Sequence, residues 1–424
     1  MKATAQFLFR NIRITDPRSP FNGQIIDLEI EDGKVSKVGQ KLNSTAEVQI
    51  DGTGYCAAPG IFDMQVQCGE PGDEEKETFE SLENGALAGG VTGLLLMPST
   101  HPVIDKRTQV EYVLRNTEKL SVKMYPAGAL SNELKGAQLA ELADMHAAGA
   151  IAFTDDKSPV SNSVLVHLAM QYNKVAGGVL LFHAEDATMS LGGKVNEGLF
   201  SVQLGMKGAP SISEELGVVR LLTLARYHQC RIHIHGVSTA AAIELIRNAK
   251  ANGLSVTCST YPHLLFFSDE ALMDFDSRFK VWPPLRSEVD RQALLAAVED
   301  GTIDVISSDH RPQTIEHKEV EFDYAAFGTL GVETAWPACF TAFSGKNVEA
   351  LIERLCYAPR EILGCDVHPI KEGEVADFFL YQPDESYTYT SKDIKSRSAN
   401  SAFIQQSLKG KVVGTYTASN WFPA

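Results

Sequence analysis

Residues 178–186 read GVLLFHAED, an unbroken apolar run that ends in a histidine and two carboxylates. A strand with one wet face alternates apolar and polar residues. A continuous apolar run belongs to a strand covered on both sides, as in a parallel sheet. The same pattern recurs at 61–66 (IFDMQV), 91–98 (VTGLLLMP), 122–127 (VKMYPA), 150–155 (AIAFTD), 231–239 (RIHIHGVST), 254–260 (LSVTCST) and 302–310 (TIDVISSDH). Between the runs lie segments such as LAELADMHAAG (139–149) and SEELGVVRLLTLARYHQC (213–230), with apolar residues at helical spacing. Eight strands alternating with helices predict an α/β fold, a closed (β/α)8 TIM-type barrel. No Gly-x-Gly-x-x-Gly follows the first strand, which disfavours a dinucleotide-binding sheet.

The two ends of the chain differ from the middle. FLFRNIRI (7–14), IIDLEIEDGK (25–34) and KVSKVG (34–39) read as a meander with a tight turn at Asp32-Gly33. VADFFLY (375–381) and LKGKVVGTYTA (408–418) read alike, with a turn expected at Lys409-Gly410. Neither end has enough strands to be stable alone, so a small β-sandwich built from both termini is expected. The predicted division is 1–56 and 367–424 for the sandwich halves, with 57–366 as the barrel.

Composition narrows the function classes. Against 38 Lys+Arg stand 54 Asp+Glu, a formal net charge of −16. That balance argues against nucleic acid or an anionic membrane as a main partner. The seven cysteines are scattered with no C-x-x-C pair, which reads as buried free thiols in a reducing compartment. The start MKATAQFLFRNIRI lacks the h-region of a signal peptide, and no apolar run is long enough to span a bilayer, so a cytoplasmic protein is expected.

In such barrels the chemistry sits at the C-terminal ends of strands. Those ends supply Gln65 and Gln67, Ser99, Asp155 and Asp156, His183 with Glu185 and Asp186, His233 and His235, and Asp309 with His310. Taken singly, a strand-end histidine is more often a hydrogen-bonded core residue, and Asp-Asp before a turn is more often a cap. Imidazole and carboxylate converging on one barrel mouth point instead to a metal-dependent site.

APGIFDMQVQCGEPGDEEKETFE (58–80), LLLMPSTHPVID, AFTDD, HAED, GVST, PHLLFFSDEAL, KVWPPLRSEVDRQALLAAVEDGTIDVISSDH and AFGTLGVET follow one another in an order and spacing that resemble the dihydroorotases. These are zinc amidohydrolases that interconvert N-carbamoyl-L-aspartate and dihydroorotate in pyrimidine biosynthesis. The resemblance implies retained metal-ligand positions at Asp156, His183 and Asp309, the last also a vestigial general base. It equally implies losses. The His-x-His pair of the first strand is Gln65 and Gln67, and a carboxamide is a poor zinc ligand. The sixth-strand histidine is Gly236. His235, one residue earlier, should point to the opposite face and could serve only if a bulge re-aimed it.

Substrate positions diverge as well. The carboxylate-clamping arginine is Gly69, and two asparagines are Ser99 and Trp282. A histidine is Gln313, with Arg311 nearby, while Phe327 and Gly328 persist. The expectation is a preserved barrel with little or no catalysis, zinc absent or partial, homo-oligomeric, and serving aspartate carbamoyltransferase as a structural partner, a role degraded copies take in this family. Two alternatives stand: an active zinc dihydroorotase with a reduced site on Asp156, His183, Asp309 and His235, or a barrel repurposed for another ligand beside Trp282, Arg311 and His235.

Overall fold

Each of the eight apolar runs forms a strand: Ile61–Val66, Val91–Leu96, Lys123–Gly128, Ala152–Phe153, Val179–His183, Ile232–His235, Val256–Thr260 and Val305–Ile306. They are numbered here as barrel strands one to eight. In the computed structural model, which describes residues 6–190 and 192–424, neighbours in sequence are neighbours in space and every pairing is parallel. The ring closes where Val66 bridges His310 and the Gln67 amide donates to the His310 carbonyl at 2.9 Å. Asp63 adds a clasp, its carboxylate accepting the Ser308 amide at 3.1 Å.

Both faces of these strands are buried, as their unbroken apolar character requires. Phe62, Met64, Leu95, Ala127, Ala152, Leu181 and Val305 fill the barrel interior. Leu94, Leu96, Leu180, Phe182, Ile232, Ile234, Val256 and Ile306 meet the surrounding helices. Burying one such side chain contributes about 1.5–3 kcal/mol.

The ends of the chain pair into one eight-stranded sheet. Phe7–Ile14 lies between Ile25–Glu31 and Cys56–Pro59, and Cys56–Pro59 in turn pairs with the C-terminal strand Phe378–Thr388. A second core of Phe7, Phe9, Ile12, Leu28, Ile30, Phe378, Leu380 and Tyr416 packs across it. The Asp32-Gly33 turn forms with both residues at positive φ, 51° and 73°. The turn expected at Lys409-Gly410 does not form, and Ser407–Thr417 runs through it as one strand. Gly410 has φ 76° and stands alone against residues 383–385 of Phe378–Thr388, so it faces a bulge in that partner strand. A Cβ there would meet the Phe340 ring at 2.8 Å. All seven cysteines are unpaired thiols, and six are buried. Among the described residues no helix is long and apolar enough to cross a membrane.

Candidate functional site

The strand ends converge as expected. Gln65, Asp156, His183, His235 and Asp309 gather at the C-terminal mouth of the barrel, none more than 7% exposed. The residues that bind them together include several that the strand-end reading missed.

Lys157 is the first. Its ammonium lies 2.5 Å from each carboxylate oxygen of Asp309 and donates also to the Trp282 carbonyl. Its side chain is only 7% exposed, with the face of Tyr261 5.1 Å away. Burial pushes the Asp309 carboxyl above its ordinary range and the Lys157 ammonium below its own, and each opposes that push in the other. Asp156, the second retained carboxylate, accepts from Ser99 Oγ at 2.8 Å and from Gln67 Nε2 at 2.5 Å. Gln65 Nε2 is 3.4 Å and the Arg311 guanidinium 4.0 Å away. Burial raises the Asp156 carboxyl, but Arg311, Lys157 and the hydrogen bonds outweigh it, so it titrates below the usual range. Asp156 and Asp309 hold left-handed backbone angles, φ 52° and 54°, a strained geometry fixed by the fold around them.

Gly236 is explained by Tyr261. A Cβ on Gly236 would meet the Tyr261 hydroxyl oxygen at 2.6 Å, so the phenol fills the space of any side chain at that position. Its hydroxyl donates to Gln65 Oε1 at 2.7 Å, and His235 Nδ1 donates to it at 3.3 Å. Gln65, Gly236 and Tyr261 are thus one interlocked replacement. Gly69 is closed in the same manner, since a Cβ there would sit 2.0 Å from the Asp73 carbonyl oxygen. The loop has folded into the space an arginine would need.

His235 reaches the site without any bulge. It pairs in register with His183 on the neighbouring strand, so both rings face inward, centroids 5.7 Å apart. The residue displaced from the strand is Gly236, at φ 71°. His183 Nε2 donates to Glu185 at 3.1 Å, and Glu185 accepts in addition from Ser190 and from Trp282 Nε1 at 2.9 Å. That leaves His183 Nδ1 and His235 Nε2 buried without a hydrogen-bond partner, as are both nitrogens of His263, 3.9 Å from Asp309.

The remaining candidates divide between the rim and the scaffold. Trp282 packs edge-on to Phe327, ring centroids 5.5 Å apart, and covers the mouth. Gln313 donates to the Phe327 carbonyl at 3.0 Å, and Gly328 is pressed against the Arg311 backbone. Asp155 caps Ser131, and Asp186 accepts from Thr188 in a turn. His233 lies inside the barrel between Thr257 and Ser259, where burial pushes it down to about 3. His310 meets Glu77 at 3.4 Å and serves the barrel seam. These four do not join the central cluster.

A pair of zinc ions does not fit this donor set. Two positions are carboxamides, a third is a glycine covered by a phenol, and both retained aspartates are matched by Lys157 and Arg311. Lys157 pairs with Asp309 and the part-exposed Arg311 lies 4.0 Å from Asp156, so each carboxylate already faces a cation and attracts a divalent ion less strongly. Among the described residues no group of three or more His, Cys, Asp or Glu side chains is arranged to hold a metal. The seventh strand end carries a signal in the sequence too: Tyr261-Pro262-His263 follows VTCST as directly as the other site residues follow their strands.

The chain's relatives agree with the barrel. Residues 54–242 match the family model described as dihydro-orotase-like. The dihydroorotase of Pelobacter propionicus is 38% identical over 415 residues, covering 97% of this chain and 98% of that one. That of Acetivibrio thermocellus is 36% identical over 417 residues, covering 97% and 98%. Among solved structures, the L-hydantoinase of Arthrobacter aurescens superposes with a TM-score of 0.86 at 24% identity, covering 98% of this chain and 96% of that one, a likeness of fold. With so much of each chain matched at such identity, this chain belongs to the dihydroorotase family.

Proposed function

We propose that this chain has given up cyclic amide hydrolysis and acts as a structural partner of aspartate carbamoyltransferase. The observation that carries the first half is Lys157 clasping Asp309. In a working member of the family that carboxylate is implied as metal ligand and general base. Here both its oxygens are engaged by a buried ammonium. A base so paired is held from taking a proton off water, and Gly69 and Trp282 remove the grip and the room a ring substrate needs. Zinc is then absent or held only in part. The second half rests on the resemblance, in which degraded copies support that enzyme's assembly, and on a barrel kept well packed around a closed mouth.

Ring closure of N-carbamoyl-L-aspartate by the purified, zinc-supplemented chain tests the first half. No rate above background is expected, and turnover abolished by Asp309→Ala would overturn it. Native mass measurement with a carbamoyltransferase tests the second. A stoichiometric complex is expected, and a chain that stays alone at micromolar concentration contradicts it.

A second reading keeps one zinc and some activity. It is favoured by the unpartnered Nδ1 of His183 and Nε2 of His235, two imidazole lone pairs that face one cluster with Asp156 beside them. It requires the Lys157–Asp309 pair to open.

A further inference from the structure

Two lysines beside the mouth are buried with no carboxylate to pair with. Lys280 is 2% exposed and Lys318 3%. The Lys280 amine donates to the Phe322 and Asp323 carbonyls at 2.7 and 3.0 Å, with the Phe322 and Phe327 rings 5.4 and 5.0 Å away. That of Lys318 donates to the Lys280 and Ala326 carbonyls at 3.1 and 2.9 Å. Among the described residues neither amine forms an ion pair, in a chain with 54 acidic residues. Three of these carbonyls lie on segment 311–328, the loop that follows the eighth barrel strand, and the fourth is that of Lys280 itself. Gly328 also donates its amide to the Lys280 carbonyl at 3.0 Å, and Ser277 Oγ donates to the Lys318 carbonyl at 2.5 Å. The two lysines thus stitch segment 311–328 to residues 277–282. Phe327 lies on the segment and Trp282 two residues past Lys280, and their edge-on contact covers the mouth.

We propose that Lys280 and Lys318 are a proton-controlled latch, which holds segment 311–328 shut over the mouth while the amines are neutral and loosens when they are charged. A neutral amine still donates to a carbonyl, without placing an uncompensated charge in a dry site. Opening carries both amines into water, where the charged form is well solvated. The surrounding groups do not reverse this preference. Lys280 faces Lys194 and Lys318, which disfavour its charge, and Asp323, whose carboxylate is already paired with Lys194 at 3.1 Å. Lys318 faces Lys280 and Arg311, and against them Asp276, whose carboxylate is engaged by Arg278. Burial, the largest effect on each, pushes Lys280 down to about 8 and Lys318 to about 7, against about 10.4 in water. The open segment therefore binds protons more tightly than the closed one. Closure weakens as pH falls from about 10 toward 7 and is level below that. Opening uncovers Trp282, whose carbonyl holds Lys157, so the latch governs access to the Lys157–Asp309 pair. The inference concerns the cover alone and holds whether or not the mouth keeps a metal.

Hydrogen exchange of the full chain at about pH 7 and about pH 8.5, read by mass spectrometry and corrected for the intrinsic pH dependence of amide exchange, tests it. Peptides within 311–328 are expected to be better protected at the higher pH, by on the order of 10-fold or more. Peptides from the helix Glu288–Asp300 are expected to change far less. Lys318→Met is expected to remove most of the rise in 311–328, and Lys280→Met a smaller part. Thermal melting checks that both variants fold, and the wild-type comparison decides the matter if either does not. Protection of 311–328 that fails to rise with pH overturns the inference. So does a rise that Glu288–Asp300 shares in full, which would report whole-chain stability, or one that survives both substitutions.

Discussion

The Lys157 ammonium stands 2.5 Å from both carboxylate oxygens of Asp309, across 152 residues of chain and at the centre of a barrel mouth where the family's resemblance implies a metal. On the reading proposed above, a fixed single charge on a side chain stands in for an exchangeable ion. The first prediction follows from that pair.

Lys157→Ala leaves the Asp309 carboxylate buried without its cation. Removing one partner of a buried ion pair costs about 3–5 kcal/mol, and that loss is expected in chemical denaturation. Lys157→Met with Asp309→Asn is expected to lose less than Lys157→Ala alone, because no charge is stranded. If the single variant is as stable as the parent, the pair is not the anchor described.

Gly236→His, the reversion to the family residue, is expected to destabilise by about 1–3 kcal/mol, since the new Cβ would strike the Tyr261 hydroxyl at 2.6 Å. Combining it with Tyr261→Ala is expected to recover part of the loss. A double variant no better than the sum of its parts would show that the two positions are independent.

Reverting Gln65 and Gln67 to histidine is expected to bring neither zinc nor ring closure. Lys157, Tyr261 and the folded loop at Gly69 still occupy the site, the last with a backbone oxygen 2.0 Å from any Cβ. Equilibrium dialysis against zinc is the measurement, and one ion gained per chain would refute the claim that the loss is interlocked.

Acid sensitivity should be legible in His233. Its folded pKa is pushed down to about 3, chiefly by burial, against about 6.5 unfolded. Below 6.5 the unfolded chain binds a proton that the folded chain refuses, so stability falls as pH drops from 6.5 toward 3, by about 1.4 kcal/mol per unit for this group. His235 and His263, also buried and pushed well down, steepen the slope. His233→Gln is expected to flatten it by about one proton between pH 6 and 4, as read from denaturation midpoints. An unchanged slope would mean that His233 takes its proton in the folded state.

Much of this was legible in the sequence because parallel strands bury both faces. GVLLFHAED and its seven companions are short unbroken apolar runs, as strands covered on both faces require, and each run forms a strand. The positions of Gln65, Asp156, His183 and Asp309 follow once strand ends are known. Lys157 was not legible. After Asp155-Asp156 it reads as a solvated turn, and its partner becomes a neighbour only when the barrel closes. Gly236 reads as a deletion until Tyr261, from the next strand, is seen filling it. His235 faces inward because its strand ends there and Gly236 lies beyond it, so alternation counted from Gly236 gives the opposite face. Lys409-Gly410 reads as a turn for a related reason: the positive φ of Gly410 serves a continuous strand that faces a bulge in its partner.

Metal content of the purified chain, after growth with added zinc and removal of loosely held ions, tests the loss of the catalytic centre most directly. The account predicts far less than one zinc per chain, unchanged in Asp156→Ala. One or more zinc ions per chain, lost on that substitution, would contradict it.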